Sequence, residues 1–423
     1  MMEAILPAYF TRQKTMAEPQ RSPMETSSAR VAAVSANSTK VRALRLGEAE
    51  FDELLTGSGD LWRKWNVLWS QLQPHERDFC SHPVWLAAWL RQWIKPDVDD
   101  VRLFVVEQDN RLLAVIPLEV VWVQGVLRRP ACTLVAPADS PLEGGSLAVR
   151  ESDRTAVLSA LLECWLDPPS AGKKSPLGAK VRPLFVRFEQ VDGTHHLRSE
   201  SVLSVEIEPS RPRAVLSVPA CRIELDSRLR TNLRKSLKRG KSKLAKSGTT
   251  SICEFRGEKL VEGLERLAQL EAKSWKGEVG TDLATDKAMH RFFRDVLQGL
   301  GDSGAAIVRV LQIEGRDIAA QLVLKFEDTL YVHKIAYDGD AAIFCPGNIL
   351  LEETLTEFAH QNGIKAVNLV TYQPWNDNWN PELRSTYMVD LFPAGLRGSL
   401  AALGAVSMKS RLKRVLHRWN EAR

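Results

Sequence analysis

The segment LYVHKIAYDGDAAIFCPGNILLEETL, Leu330 to Leu355, concentrates residues whose types and order could do chemistry. A strand pattern ends at Tyr337-Asp338, a loop follows, and Pro346-Gly347-Asn348 opens a helical pattern. A helix N-terminus carries unpaired N–H groups and a partial positive charge, which suits a pyrophosphate. Gly347 would let the backbone approach a ligand closely, and Pro346 presets the entry into the helix. The plain alternative is an ordinary strand-to-helix turn. His333 stands mid-strand beside Lys334 in an apolar and aromatic stretch, where an imidazole could titrate near neutral pH. Its other reading is a hydrogen-bonded core histidine. Asp338, at the strand end, could hold an acceptor group or cap the loop. Glu271, just before Ser274-Trp275-Lys276-Gly277, could bind or deprotonate a nucleophile, or pair with a nearby lysine on a helix face. Trp275 would then wall the cleft.

These residues need a scaffold, and the sequence predicts one that is built twice. VVEQDNRLLAVIPLEV from Val105 and VLQIEGRDIAAQLVLK from Val310 each read as strand, tight turn, strand. Asp109-Asn110 and Glu314-Gly315 fill turns that call for positive φ. Trp62, Trp65 and Trp69, then Trp85, Trp89 and Trp93, recur at helical spacing before the first hairpin and predict helix faces turned to a core. Before the second hairpin, Leu260, Leu264, Leu267 and Leu270 do the same, followed by Phe292, Phe293, Val296 and Leu297. A third strand at Thr329–Tyr337, a helix over about 348–361 and a strand at Ala366–Val370 complete a mixed α/β order. The first half repeats the outline with a helix at 151–166 and a strand at Val181–Phe188. The expected division is a disordered segment at 1–44, a first domain at 45–214, a second at 215–395 and a basic tail at 396–423. Pro209, Pro212 and Pro219 mark the central boundary.

Composition narrows the function classes. The chain has 423 residues, 44% hydrophobic and 26% charged, enough for two cores and ordinary for a globular protein. Its six cysteines show neither a CxxC pair nor zinc spacing with histidine, so a reduced protein without a metal site is expected. No run approaches the roughly 20 apolar residues of a bilayer span. A cytoplasmic location follows, with peripheral contact at the inner membrane through the basic C-terminal tail as an added expectation. The net charge of +5 says little, but nine Lys or Arg and no acid fall between Arg228 and Lys246. That run is a solvated helix face, a docking site for an acyl-carrier protein or CoA phosphates, or a nucleic-acid patch. Nucleic acid is the least favoured, because the run has no aromatic residue to stack on bases.

The basic run LRTNLRKSLKRGKSKLAKSG, then LEAKSWKGEVGTDL, GRDIAAQLVLKFEDTLYVHKIAYD and CPGNILLEETL resemble GNAT-like acetyltransferases of the CelD/BcsL group of bacterial polysaccharide biosynthesis. The resemblance to Fem-type peptidoglycan transferases is more distant. FCSHPVWLAAWLRQW and LLAVIPLEV extend the resemblance into the first half, so that it covers roughly residues 50–390. It implies tandem GNAT-type domains, α/β with mixed sheets flanked by helices, the first a degenerate support and the second catalytic. It implies an acyl thioester such as acetyl-CoA as co-substrate, with no tightly bound cofactor, and a small-molecule or glycan acceptor attacking through an amine or hydroxyl. Two adjacent strands would splay apart to take the pantetheine arm, with a backbone N–H stabilising the oxyanion. Catalysis would fall to His333, Glu271 and Asp338, and the donor to Pro346, Gly347 and Asn348. Related proteins carry a Tyr-Lys pair before a tryptophan where this chain reads VTYQPWNDNWNPE. Without that lysine, Asn376 and Asp377 are expected to form a polar acceptor pocket with Trp275 and the retained Trp379. The rival readings are a Fem-like aminoacyl-tRNA-dependent transferase and a non-catalytic scaffold of an envelope synthesis complex.

Overall fold

Both predicted hairpins form, and for the same reason. Asp109 and Asn110 sit at φ 51° and 62°, Glu314 and Gly315 at 48° and 75°, the left-handed pair that matches a two-residue turn to strand twist. The computed structural model describes residues 39–77, 79–94, 100–124, 130–135, 147–166, 183–191, 202–209, 212–358 and 363–393. The segment 1–38, most of the first-half loop after Pro137 and the basic tail at 396–423 lie outside them.

The first sheet contains β1 (Thr39–Arg45), β2 (Val101–Gln108), β3 (Arg111–Gln124), β4 (Pro130–Val135), β5 (Pro183–Val191) and β6 (Val202–Pro209). Its helices are α1 (Ala49–Leu55), α2 (Gly59–Gln71), α3 (Pro83–Trp93) and α4 (Arg154–Leu166). The second sheet contains β7 (Arg213–Ser217), β8 (Thr250–Phe255), β9 (Ala306–Ile313), β10 (Arg316–Phe326), β11 (Thr329–Tyr337), β12 (Ala366–Asn368) and β13 (Glu382–Arg384). It is packed by α5 (Arg222–Arg228), α6 (Thr231–Ser247), α7 (Leu260–Ala272), α8 (Trp275–Glu278), α9 (Lys287–Leu300) and α10 (Pro346–Phe358). The last strand, β14 (Tyr387–Pro393), returns to the first sheet.

The strand orders are β1-β2-β3-β4-β5-β14-β6 and β13-β7-β12-β11-β10-β9-β8. Read from β1 and from β8, the two are the same topology: four antiparallel strands, a parallel fifth, then two antiparallel strands. The sixth position is exchanged, with β14 from the far end of the chain filling it in the first sheet and β7 filling it in the second. This corrects the expected domain limits in two places. Residues 39–44 are strand rather than disordered chain, and Tyr387–Pro393 belongs to the first sheet. The described residues all fall within one compact unit. The physical cause is visible in the core: Trp85 and Leu90 of α3 share one apolar cluster with Phe292 and Leu297 of α9. The Trp85 and Phe292 rings meet edge-on at 4.8 Å.

The helix stripes behave as the periodicity requires. Leu260, Leu264, Leu267 and Leu270 are all buried on α7, and Trp65, Trp85 and Trp89 on α2 and α3. On α6 the buried positions are Leu233, Leu237, Gly240 and Leu244, leaving the cations outward. A Cβ on Gly240 would lie 2.1 Å from the Phe344 carbonyl oxygen, so glycine is what allows α6 to press against the turn that precedes α10.

Candidate functional site

The second sheet opens where β11 leaves β12. Their parallel pairing covers only Thr329–Ala366, Leu330–Val367 and Tyr331–Asn368. On the other side of β11, Lys334 pairs with Leu322 and Val332 with Val323, so His333 is an inserted bulge residue. A bulge bends its strand and increases local twist. From Val332 to Tyr337 the β12-facing edge of β11 therefore has no strand beside it. The gap is a cleft of about 590 Å³. Val332, His333, Ile335 and Tyr337 line one side, Leu369, Val370, Thr371 and Gln373 the other, and Cys345 to Asn348 the mouth.

The mouth is the start of α10. Cys345 takes a left-handed conformation at φ 55° and accepts from the Ile349 N–H at 3.1 Å, which makes it the cap. Pro346 has no N–H to leave unpaired, so Gly347 and Asn348 present the first free donors of the helix. A Cβ on Gly347 would touch Ile335 and Tyr337 at 3.5 Å, so any longer side chain must project into the space between helix and strand. Trp379 donates its indole N–H to the Asn348 side-chain oxygen at 3.1 Å, pinning the Pro374–Trp379 turn to the same helix start.

The structure brings His333, Trp275, Pro346, Gly347 and Asn348 together in the cleft and leaves the other expected site residues out of its lining. His333 packs among Phe79, Trp85 and Tyr331, with ring centroids 5.5, 5.2 and 6.2 Å away, and neither ring nitrogen has a hydrogen-bond partner. Burial, then the neighbouring Lys334, push its pKa down to about 3. It therefore does not titrate near neutral pH, because no polar contact compensates the ring for losing water. Glu271 is fully buried and bound to Lys276 Nζ at 2.5 Å, with Lys334 at 3.6 Å and the Leu283 N–H donating at 3.1 Å. It is the paired carboxylate, not an exposed base. Asp338 is also buried and caps the turn at 339–344, accepting from Asp340 N–H at 3.0 Å and from Arg316 at 2.7 Å. Burial works to raise its pKa, but Arg316 and the backbone bond outweigh this and hold it below the ordinary value.

The expected acceptor pocket is also corrected. Asn376 is fully buried, its side-chain oxygen accepting from the Gln373 N–H as part of a capping box. Asp377 accepts from the Tyr372 hydroxyl at 2.9 Å, and Trp379 is 3% exposed in the core. These three build the turn. Its cleft-facing members are Trp375 and Asn378, with Gln373 before them. Reading residues by adjacency missed this, because a 3₁₀ turn sends successive side chains in different directions. Lys276 was missed as well, although its place beside the Ser274 cap, whose hydroxyl accepts from the Lys276 N–H, was legible in Ser-Trp-Lys-Gly.

Residues 231–378 match the model of the acetyltransferase (GNAT) domain. No curated protein sequence matches the chain. The solved structure of FemX is similar at 12% identity and TM-score 0.50, over 81% of this chain and 97% of that one. L-PGS from Bacillus licheniformis shares 13% identity at TM-score 0.45, over 81% and 96%. A tandem GNAT protein of the clavulanic acid pathway shares 12% at TM-score 0.40, over 85% and 99%. Residues 231–378, which span most of the second sheet and the cleft, are a GNAT-type acetyltransferase domain.

Proposed function

We propose that the chain moves an acyl group, acetyl in the simplest case, from a CoA thioester to an amine or hydroxyl of a sugar, lipid-linked intermediate or small metabolite. Exopolysaccharide or envelope synthesis in the cytoplasm, as in the CelD/BcsL group, is the setting we favour. The observation that carries the reading is the unpartnered edge of β11 ending at the free N–H groups of Gly347 and Asn348. A pantetheine arm, with amide groups spaced along it, can pair with an open strand edge, and its pyrophosphate can meet the helix start. Trp275 and Trp375, 59% and 41% exposed, flank the entrance and offer flat walls to an acceptor.

The α6 cations suggest how a donor arrives. Lys235, Lys238, Arg239, Lys243 and Lys246 have no ion-pair partner among the described residues, whereas Lys241 is tied to Glu352 at 2.8 Å. An acyl group on an acidic carrier protein would meet that row. Calorimetry with CoA and acetyl-CoA tests the reading. Gly347→Glu should fold and lose CoA binding, through bulk in the slot against β11 and through charge at the helix start. A folded Gly347→Glu protein that binds CoA as before would move the donor elsewhere. In the same assays, turnover of a carrier-borne donor should fall with salt more steeply than that of free acetyl-CoA. Equal salt slopes would remove the carrier.

A further inference from the structure

The thioester reading leaves one lining side chain without a role. Among the described residues around the cleft, Lys276 carries the one formal charge, and no carboxylate is present there. Its ammonium donates to Glu271 Oε1 at 2.5 Å and to the Ile335 carbonyl at 3.4 Å. Glu271 is fixed in turn by full burial and by the Leu283 N–H on its second oxygen. An ammonium has three N–H donors, so one is left for the cleft. Ile335 is two residues beyond the His333 bulge, on the strand edge that β12 has abandoned.

Resting on the thioester reading, we infer that Lys276 is a catalytic residue, its free N–H binding the oxyanion formed during acyl transfer. The nucleophile's lone pair attacks the thioester carbonyl carbon, and the carbonyl π pair moves onto oxygen. Collapse of that oxyanion breaks the C–S bond, and the departing thiolate takes up the proton the nucleophile loses. The negative charge appears in a cleft whose lining holds no carboxylate, so the N–H left free on Lys276 meets it without a competing anion on the walls. Glu271 does not reach the lining and is a positioning residue for this ammonium.

Hydrolysis of acetyl-CoA by the full chain, followed as thiol release, tests this with water as the acceptor. Lys276→Met should slow hydrolysis by about 10²–10³-fold, the range for losing one oxyanion donor, with CoA affinity unchanged. Lys276→Arg should recover part of the rate, and Glu271→Gln should lower kcat while leaving KM for acetyl-CoA in place. Lys276→Gln, which can still hydrogen-bond Glu271, substitutes for the methionine variant if thermal melting shows that one unfolded. Folded variants that bind CoA and release thiol as fast as the wild type overturn the assignment. They would leave Lys276 to an anionic group on the acceptor, which water lacks. A wild-type chain that does not bind CoA overturns the thioester reading itself, a result seen before any variant is made.

Discussion

The two sheets share a topology and differ at the fourth strand. In the second sheet, β11 runs from Val332 to Tyr337 past its last residue paired with β12. In the first, β4 ends at Val135, which still pairs with Arg187 of β5. Beyond β4 the chain lies outside the described residues until Leu147, so the described part of the first sheet has no open β4 edge. The sixth strands differ as well. β14 pairs with β5 from Tyr387 to Leu391 and is clamped by a buried ion pair, whereas β7 meets β12 over three residues. Among the described residues, the first copy thus shows no open edge on its fourth strand, whereas the second is open beyond Tyr331. In the second, the opening coincides with the one-residue bulge at His333 and a fifth strand of three residues.

The clamp gives the largest expected effect. Arg187 Nε and Nη2 donate to the two oxygens of Asp390 at 2.8 and 2.9 Å, and Asp390 has no solvent exposure. Burial raises the Asp390 pKa while Arg187 lowers it, with burial the stronger influence. Asp390→Ala removes two charge-assisted hydrogen bonds from a half-buried guanidinium, which should cost about 1.5–3 kcal/mol in chemical unfolding. Replacing both residues with leucine should cost far less. If Asp390→Ala costs under ~1 kcal/mol, the exchanged strand is not what holds the first sheet together.

A second, smaller effect separates the halves by pH. His82 caps α3, its Nδ1 accepting from the Val84 N–H at 3.1 Å, and burial, then Arg77, lower its pKa to about 4. His333, at the fork, is lowered to about 3. Both imidazoles are neutral in the fold, and both take protons in the unfolded chain once pH falls below about 6.5. The unfolded state then binds more protons, so stability is full above that value and declines on acidification as the unfolded imidazoles take them up. The His82 contribution ends near pH 4 and that of His333 near pH 3. His333→Gln should flatten the slope of stability between pH 6.5 and 4, and His82→Asn, which keeps a capping oxygen, should flatten it further. An unchanged slope in the double variant would place the acid sensitivity elsewhere.

The sequence made the duplicated hairpin, the α7 leucine face and the Pro346-Gly347 helix start legible, because each depends on neighbours in the chain. The same reasoning left two roles open for Glu271 and for Asp338, of which the structure shows the lysine pairing and the turn cap. It expected Asn376 in a pocket, where the structure buries it in a turn. All three are polar residues beside chemically suggestive ones, and what decides their role is burial by distant elements. Glu271 is claimed by Lys334 of β11 as well as by Lys276, and Asp338 by Arg316 of β10. The exchange of β14 and β7 was invisible for the same reason: a strand's pattern reports its period and burial but not which sheet receives it.

The smallest effect concerns the feature by which the two halves most resemble each other. Each hairpin needs left-handed backbone at both turn residues, supplied in the first by Asp109-Asn110 and in the second by Glu314-Gly315. A Cβ at Gly315 would meet nothing within 4 Å, so any cost of adding one comes from φ 75° alone. Gly315→Ala should therefore lower stability by about 1–2 kcal/mol, the cost of left-handed backbone for a side chain with no polar group of its own. Gly315→Asn should recover most of that, because asparagine tolerates this conformation through local hydrogen bonding and Asn110 adopts it at the equivalent place in the first turn. CoA binding should be the same in all three proteins, since Gly315 is not among the residues that line the cleft. The measurement is urea unfolding with the m-value checked for constancy. If alanine is tolerated as well as asparagine, the second turn has relaxed to another geometry, and the two hairpins are alike in sequence without being alike in the constraint that shapes them.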